Sequence, residues 1–385
     1  MKKQVYIISF LLSLLLLVGC SNKNKLYFLN WGEYVNPELI TIFEKKYNVD
    51  VVMQEVSSSE EMYNEVIARK TRFDVICVGD YILERMINED LLQKLDYNII
   101  TNYYDGIYVD SLEKIIKTSN TPYLEYGSPY FWGVYVMMYN NEKKGLKSVI
   151  EEEGLNIFFD HNSHHGMNIN VGMYDVERYV TTAYLLNQNL DVNTTDIKLL
   201  EPIVDAIKDV GYKSWGTDDL KKDVVKGSLD VIFTQIGDFF DTTNIYITDH
   251  LNSEGKLNSD FKLKADLYIP SQNVAFFDSL AIPKNARNPQ LANEFINFFM
   301  DNDVEFAQNN YHISLMNAEY VGYSPTLKPT VELLKQSTNV ATQFFNANYP
   351  EYLDPAKNVT SLSILKNLDS KFISEIITLI SKTKS

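Results

Sequence analysis

Cysteine is almost absent from this sequence. Cys20 and Cys77 are the only two among 385 residues, so a scaffold stabilised by several disulfides is excluded. The stability of the fold must therefore come from packing, for which a hydrophobic content of 45% is ample. Because Cys77 lies in the apolar stretch 74–78, we expect it to be buried in a β-strand.

Positive charge is also scarce. The chain has 35 lysines and arginines against 51 aspartates and glutamates, which gives a formal net charge of -16. A chain this acidic repels nucleic acid and anionic lipid, and its field attracts cationic solutes. It contains no nucleophile elbow, phosphate-binding loop or HExxH pattern. The sequence therefore favours a binding protein over an enzyme, and we expect no cofactor, no resident metal and no nucleic-acid partner.

The apolar run at residues 5–18 is shorter than the roughly 18 to 20 residues that span a bilayer. It follows Lys2 and Lys3 and stops at Gly19. This order of charged, apolar and small residues is typical of a secretory signal. We therefore predict that residues 1–19 are a leader that is removed on export.

The end of this leader, residues 17–20 (LVGC), resembles the lipobox at which bacterial lipoproteins are cleaved and acylated on cysteine. The resemblance implies that Cys20 carries the lipid and that residues 20–25 form a short polar tether. Diacyl attachment anchors a protein stably, whereas a single acyl chain holds only marginally. We predict an extracytoplasmic protein held to a membrane by its lipid alone, on the periplasmic side or at the cell surface.

Strand and helix patterns alternate along the rest of the chain, which predicts parallel sheets covered by helices. The predicted strands are 25–30, 49–54, 73–78, 167–172 and 229–234, and the predicted helices are 37–47, 57–68, 81–87, 176–187, 199–210 and 289–300. Two aromatic, extended stretches, 126–139 and 274–283, could cross between lobes. The chain is longer than one core usually supports, so we expect two lobes that close about a hinge. Open α/β sheets bind ligands at the carboxyl ends of their strands.

Four segments at these strand ends and crossings resemble the polyamine-binding proteins that serve bacterial ABC importers. They are LYFLNWGEYVNP (26–37), VICVGDYILERM (75–86), YGSPYFWGVYVMMYN (126–140) and FFDSLAIPKNARNPQLANEFINFFM (276–300), with weaker matches at GMYDVERYV and VGYSPT. The likeness runs in order across nearly the whole exported part. It implies a monomeric receptor that binds spermidine or putrescine between its lobes and delivers it to a membrane permease and its ATPase.

The resemblance also implies the fold class, a bilobed α/β periplasmic-binding-protein fold of type II with a hinge of two crossings. Lobe 1 is predicted to comprise residues 26–131 and 279–318. Lobe 2 is predicted to comprise residues 132–278 and 319–385.

Carried over residue by residue, the resemblance implies which side chains contact the polyamine. Trp31 and Tyr34 match aromatic contacts of the family, and Tyr81 and Tyr323 match further tyrosines of its site. Asp278 matches the aspartate that binds an ammonium group, and it interrupts an apolar run in which an unpaired carboxylate would be costly. These residue types suit a polyamine, because ring faces cover its methylenes and attract its cations while a carboxylate forms charge-assisted hydrogen bonds.

The remaining carboxylates are less clearly assigned. Asp80 could bind the ligand or cap the helix beginning at Tyr81, and the cap is the favoured interpretation. Asp175 matches an acidic turn of the family, although it could instead cap the helix that follows it. The family's next glutamate falls opposite Tyr179, with Glu177 close enough to substitute. Which residue supplies the second carboxylate stays open.

The sequence departs from the family pattern at four positions of the expected site. Gly32 and Gly79 stand where a hydroxyl residue is frequent. Gln235 and Phe276 fall at or near positions that usually hold tryptophan. Each change removes a hydrogen-bond donor or aromatic area, so the solute class is expected to persist while the choice among putrescine, spermidine and other cations stays open.

Other classes of function compete with this interpretation. Asp160, His161, His164 and His165 are residue types that bind zinc or manganese, which would suit a metal receptor. They are nearly consecutive in a polar loop, however, whereas closed metal sites usually gather ligands from separate elements. Paired carboxylates with aromatic walls would also suit a carbohydrate receptor or, as a weaker alternative, a glycoside hydrolase.

Overall fold

The computed structural model describes residues 24–68, 70–301 and 312–384. The predicted leader and Cys20 lie outside these residues. Of the predicted tether, only Asn24 and Lys25 are described, and both already belong to the first strand. Within the described ranges, no helix combines the length and the apolar character needed to cross a membrane.

The described chain alternates strands and helices from its first residue. The strands are β1 (Asn24–Trp31), β2 (Val49–Val56), β3 (Val75–Gly79), β4 (Gly127–Asn140), β5 (Val171–Tyr174), β6 (Ser214–Gly216), β7 (Val231–Gln235), β8 (Ala265–Tyr268), β9 (Gln272–Ala281), β10 (Ser324–Pro325) and β11 (Ser361–Ile364). The helices are α1 (Pro37–Tyr47), α2 (Ser59–Ala68), α3 (Asp80–Asn88), α4 (Asp110–Thr118), α5 (Tyr123–Tyr126), α6 (Leu146–Glu153), α7 (Glu177–Asn187), α8 (Ile203–Val210), α9 (Asp219–Lys226), α10 (Ile236–Asp249), α11 (Pro289–Phe299), α12 (Ile313–Val321), α13 (Lys328–Lys335), α14 (Val340–Asn348) and α15 (Ser370–Ser381).

The main strands form one sheet in the order β2-β1-β3-β9-β4-β7-β5-β6. Two parallel groups, β2-β1-β3 and β7-β5-β6, lie at its ends. Between them, β4 and β9 run antiparallel to each other, and they pair with β7 and β3 respectively. The predicted mixed α/β class and its two crossing segments are therefore confirmed. The lobe boundaries that the sequence places within β4 and β9 stay a prediction.

Local sequence explains where several elements begin. Pro37 occupies the first turn of α1, and the Asn36 side chain caps the helix by accepting a hydrogen bond from the Glu38 backbone N–H. The helix predicted at 199–210 starts later, because a separate 3₁₀ turn precedes Pro202 and the regular helix follows it. The predicted strand at 167–172 is likewise displaced, to β5.

The centre of the sheet is apolar on both faces. All fourteen residues of β4 are buried, as expected for a strand covered on both sides. Cys77 is buried in β3, where the sequence placed it. At Gly133 in β4, an added Cβ would lie 2.7 Å from both Ile236 and Phe276, so only glycine permits this close approach.

We expect Gly133→Ala to destabilise the protein by about 1–3 kcal/mol, because a methyl group at this crowded position forces Ile236 or Phe276 to move. Urea unfolding gives the free energy directly. Gly32→Ala is the matched control, since its added Cβ would come no closer than 3.7 Å to Glu55. Equal stability of the two variants would contradict the packing argument.

Candidate functional site

A cavity of about 150 Å³ lies where strand ends from both parallel groups meet. Trp31 ends β1 and Gly79 ends β3, while Tyr174 and Gln235 end β5 and β7 on the other side. All four residues line the cavity, together with Asp278 of β9. The site thus lies at the carboxyl ends of parallel strands, where open α/β sheets bind ligands.

Eight of the ten predicted ligand contacts line this cavity. They are Trp31, Tyr34, Asp80, Tyr81, Gln235, Phe276, Asp278 and Tyr323. Asp175 and Glu177 border a neighbouring cavity that shares Tyr81 with the first. Asp175 is exposed and forms an ion pair with Lys384. It does not cap α7, whose N-cap residue is Val176 and has no side-chain cap.

Asp278 is a buried carboxylate on the central strand β9. It is only 9% exposed, and its Oδ2 atom accepts a hydrogen bond of 2.8 Å from the Tyr34 hydroxyl. Burial raises the pKa of Asp278 to about 6, although the Tyr34 hydroxyl and the Trp31 indole pull it down. Gly79 is its neighbour on β3, and a Cβ there would lie 3.4 Å from the Asp278 Oδ1 atom. The missing side chain at Gly79 leaves this oxygen uncovered on that side.

Asp80 is buried beside Asp278 and is the first residue of α3. The favoured interpretation, a cap on a helix beginning at Tyr81, is wrong in register, because the N-cap residue is Gly79. The Asp80 Oδ1 atom accepts a hydrogen bond of 2.7 Å from the Tyr81 N–H, but its buried Oδ2 atom has no partner among the described residues. Burial raises the pKa of Asp80, and the charge of Asp278 raises it further.

Asp238, in the first turn of α10, is the buried carboxylate at the opposite end. The Tyr323 hydroxyl donates to its Oδ1 atom at 2.9 Å, and the Tyr174 hydroxyl donates to its Oδ2 atom at 3.2 Å. The Thr234 hydroxyl also donates to Oδ2. Lys221 Nζ lies 3.5 Å from Oδ1. Asp238 is therefore surrounded by donors from four separate side chains.

Lys221 is shared between this carboxylate and Asp241. Its Nζ atom donates to Asp241 Oδ2 at 2.8 Å. Burial alone would lower the pKa of Lys221, but Asp238 and Asp241 raise it, so the ammonium stays charged. Burial raises the pKa of both Asp241 and Asp218, another carboxylate of this end.

Aromatic rings connect the two ends. Tyr34 and Tyr323 meet edge to face with ring centroids 5.0 Å apart, and Phe276 meets Tyr323 at 6.2 Å. Gly237 lies directly against the Tyr323 ring, because a Cβ there would come within 2.2 Å of it. The tyrosine that binds Asp238 is therefore positioned by contact with the backbone of α10.

The sequence did not single out Asp218, Lys221, Asp238 or Asp241. Asp238 interrupts an apolar helix start, IGDFF, just as Asp278 interrupts an apolar strand, so the same argument could have found it. Asp218 and Lys221 lie in the polar stretch 217–223, where charged residues are ordinary. Only the fold reveals that this stretch faces a cavity.

The histidine-rich loop lies outside the cavity lining. His164 is buried, with Nε2 2.9 Å from the Ile157 carbonyl oxygen, and His165 Nε2 lies 2.7 Å from Glu153. Within the described ranges, one group has metal-ligand spacing: Glu152, Glu153 and His165 bring ligand atoms within 4.8 Å of one another on a partly exposed surface. Ordinary hydrogen bonds account for the contacts of both histidines.

Comparison with known proteins identifies the family. Residues 38–328 match the family described as bacterial extracellular solute-binding protein. The chain belongs to this family. Among curated relatives, the solute-binding protein is 26% identical over 331 residues to the spermidine/putrescine-binding periplasmic protein of Escherichia coli (strain K12), covering 85% of this chain and 84% of the relative. It is 25% identical over 328 residues to the putrescine-binding periplasmic protein SpuD of Pseudomonas aeruginosa (strain UCBPP-PA14), covering 81% and 85%.

Solved structures confirm the type II fold of this solute-binding protein. The spermidine/putrescine ABC transporter substrate-binding protein PotD of Streptococcus pneumoniae superimposes with a TM-score of 0.65 at 22% identity, covering 94% of this chain and 98% of that one. The Tp0655 (TpPotD) lipoprotein of Treponema pallidum superimposes with a TM-score of 0.66 at 20% identity, covering 94% and 99%. At these identities the likeness establishes the fold alone.

The raised pKa of Asp278 makes the stability of the solute-binding protein depend on pH. Between about pH 4 and pH 6, folded Asp278 keeps a proton that the unfolded chain has lost, so stability falls as pH rises through this window. A rise from 3.8 to about 6 corresponds to about 3 kcal/mol. Urea unfolding from pH 4 to 7 should show this fall, and Asp278→Asn should remove that part of it.

Asp266→Asn is the matched control for this experiment. Like Asp278, Asp266 accepts hydrogen bonds from tyrosine hydroxyls, in this case those of Tyr139 and Tyr349. Unlike Asp278, it does not line the cavity. The fall in stability should persist in this variant. A fall of the same size in Asp278→Asn would show that Asp278 is not its source.

Proposed function

We propose that this solute-binding protein binds polyamines of the spermidine and putrescine class in the cavity and delivers them to an ABC importer. The observation that carries the proposal is the charge of the lining, which contains six carboxylates and one lysine. The carboxylates are Glu33, Asp80, Asp218, Asp238, Asp241 and Asp278. The names of the Escherichia coli and Pseudomonas aeruginosa relatives, which specify these ligands, support the choice of cation.

The end formed by Asp80 and Asp278 is suited to an ammonium group. Asp80 Oδ2 has no partner among the described residues. The raised pKa of Asp278 shows that burial destabilises its charged form. An ammonium placed between them would donate to both carboxylates, and charge-assisted hydrogen bonds contribute about 1.5–3 kcal/mol each. Trp31 and Tyr81 also line the cavity, and their rings would attract the cation further.

The aromatic walls account for the apolar part of a polyamine. Tyr34, Phe276 and Tyr323 extend from Asp278 towards Asp238 as a connected set of rings. A chain of methylenes lying along them leaves water without requiring hydrogen-bond partners. In the second half of the cavity, Asp218 is the carboxylate proposed to bind the second ammonium, because Asp238 and Asp241 are paired with Lys221. Asp175 and Glu177 lie outside this lining.

The proposed receptor carries out no catalysis. Its predicted lobes close on the ligand by rotation about the two crossing strands, a hinge motion of the kind found in periplasmic binding proteins. The closed monomer then docks on a membrane permease, and the associated ATPase drives import. These steps follow from the family resemblance together with the position of the cavity at the junction of the two strand groups.

We expect putrescine or spermidine to stabilise the protein, by about 2.7 kcal/mol at about 100 times the dissociation constant. Thermal unfolding detects the stabilisation, and isothermal titration calorimetry gives the affinity. Asp278→Asn should weaken binding about tenfold to a hundredfold, because it removes one charged acceptor. Asp266→Asn again serves as the control, since it lies outside the lining and should bind normally.

The outcomes distinguish the competing functions. A wild-type protein stabilised by no polyamine would overturn the proposal. Stabilisation by zinc, manganese or a sugar instead would favour the other receptor classes, and turnover of a chromogenic glycoside would favour a hydrolase. Unchanged polyamine affinity in Asp278→Asn would remove that residue from the site.

We also propose that Cys20 carries the lipid that holds the receptor near its permease. The proposal rests on the lipobox-like residues 17–20 and on the charged, apolar and small-residue order of the predicted leader. A receptor on a lipid needs no enclosed compartment to stay near its permease. Such an anchor fits both a periplasm-facing membrane and a cell surface.

Cys20→Ala should abolish lipid attachment, because it removes the thiol that is acylated. The wild-type protein should partition into the detergent phase of a Triton X-114 extract, and the variant should not. Cys77→Ala is the matched control, since Cys77 is the other cysteine of the chain and is buried in β3. A Cys20→Ala protein that still enters the detergent phase would contradict the lipid assignment.

A further inference from the structure

Lys221 places a positive charge inside a cavity that is otherwise lined by carboxylates and aromatic rings. It projects from α9 and is only 6% exposed. It is the one lysine or arginine among the described residues that line the cavity. A buried lysine needs partners for its charge, and Lys221 has two, Asp241 Oδ2 at 2.8 Å and Asp238 Oδ1 at 3.5 Å.

The hydrogen-bonding capacity of Asp238 is filled by groups of the protein itself. A carboxylate has about four acceptor positions, two on each oxygen. Oδ1 receives the Tyr323 hydroxyl and faces Lys221, and Oδ2 receives the hydroxyls of Tyr174 and Thr234. A ligand ammonium could bind Asp238 only by displacing one of these donors.

The other end of the cavity is unlike this one. Asp80 Oδ2 accepts no hydrogen bond from the described residues. The Tyr34 hydroxyl donates to Asp278 Oδ2, and Gly79 supplies no side chain to cover Oδ1. The two ends therefore differ in the cations that reach the cavity. The only cation shown to act on Asp80 is Arg178, which lies outside the lining and lowers the pKa of Asp80 through its charge. Asp238 and Asp241, by contrast, share the ammonium of Lys221 within the lining.

We propose that Lys221 limits the number of ammonium groups that a bound ligand can have. This inference deepens the proposed function and rests on it. Its ammonium occupies the place at the Asp238–Asp241 end that an ammonium of a longer polyamine would take. A further cation brought to this end meets Lys221 at short range and is repelled. The cleft therefore favours the diamine putrescine over the triamine spermidine.

The test is a change in the ratio of the two affinities. Lys221→Met keeps the length of the side chain but removes its charge, so spermidine should gain at least about tenfold in affinity relative to putrescine. Isothermal titration calorimetry of the purified protein with each polyamine measures the ratio. Lys226→Met is the matched control, because it removes the same charge from an exposed position of the same helix and should leave the ratio unchanged.

Lys221→Met leaves Asp241 without its ion-pair partner, so this variant could fold poorly. A second variant keeps the proposal testable in that case. Lys221→Met combined with Asp241→Asn removes both charges of the ion pair and should shift the ratio in the same direction. A ratio that changes less than about twofold in both variants overturns the proposal, as does a wild-type preference for spermidine. A wild-type protein that binds neither polyamine would fail at the earlier step and overturn the proposed function with it.

Discussion

The burial of Asp278 in the middle of the sheet is the constraint on which the site depends. A carboxylate on a central strand loses most of its water, and its raised pKa of about 6 records a cost of about 3 kcal/mol. This cost is what remains after the hydrogen bond from the Tyr34 hydroxyl, which lowers the pKa, has been included. The fold thus keeps a destabilising charge where an apolar residue would pack without penalty. A bound cation is the partner that would recover this energy.

The crossing strands connect this charge to the rest of the fold. β9 carries Asp278 and pairs with β3, which ends beside Asp80, and it also pairs with β4. Two close approaches fix the geometry around it: Gly133 allows Phe276 to pack against β4, and Gly237 allows Tyr323 to lie on α10. These two glycines let the rings of Phe276 and Tyr323 pack against the backbone, so the positions of the rings depend on the absence of a side chain at both points. The shape of the cavity therefore depends on glycine as well as on the buried carboxylates.

The sequence predicts the fold more completely than it predicts the site. Alternating strands and helices, read from periodicity, locate β1 to β3 and their helices within a few residues, because buried parallel strands and amphipathic helices have strong patterns. The family resemblance assigns Trp31, Tyr34 and Tyr81 to the site. Asp278 is also marked by its local sequence, because a carboxylate interrupts an apolar strand there. Lys221 and Asp218 lie in a polar stretch with no such contrast, and only the tertiary structure turns that stretch towards the cavity.

The placement of Asp175 and Glu177 follows the same logic. An acidic residue in a strand-to-helix turn is equally compatible with a ligand contact, a helix cap or a surface ion pair, and the turn sequence does not distinguish among them. The choice depends on Lys384, which is more than two hundred residues away and forms the ion pair with Asp175. Lys221 differs, since it lines the cavity together with its partners Asp238 and Asp241, which belong to the next helix. No local pattern encodes either ion pair, because each joins separate segments that only the tertiary structure brings together.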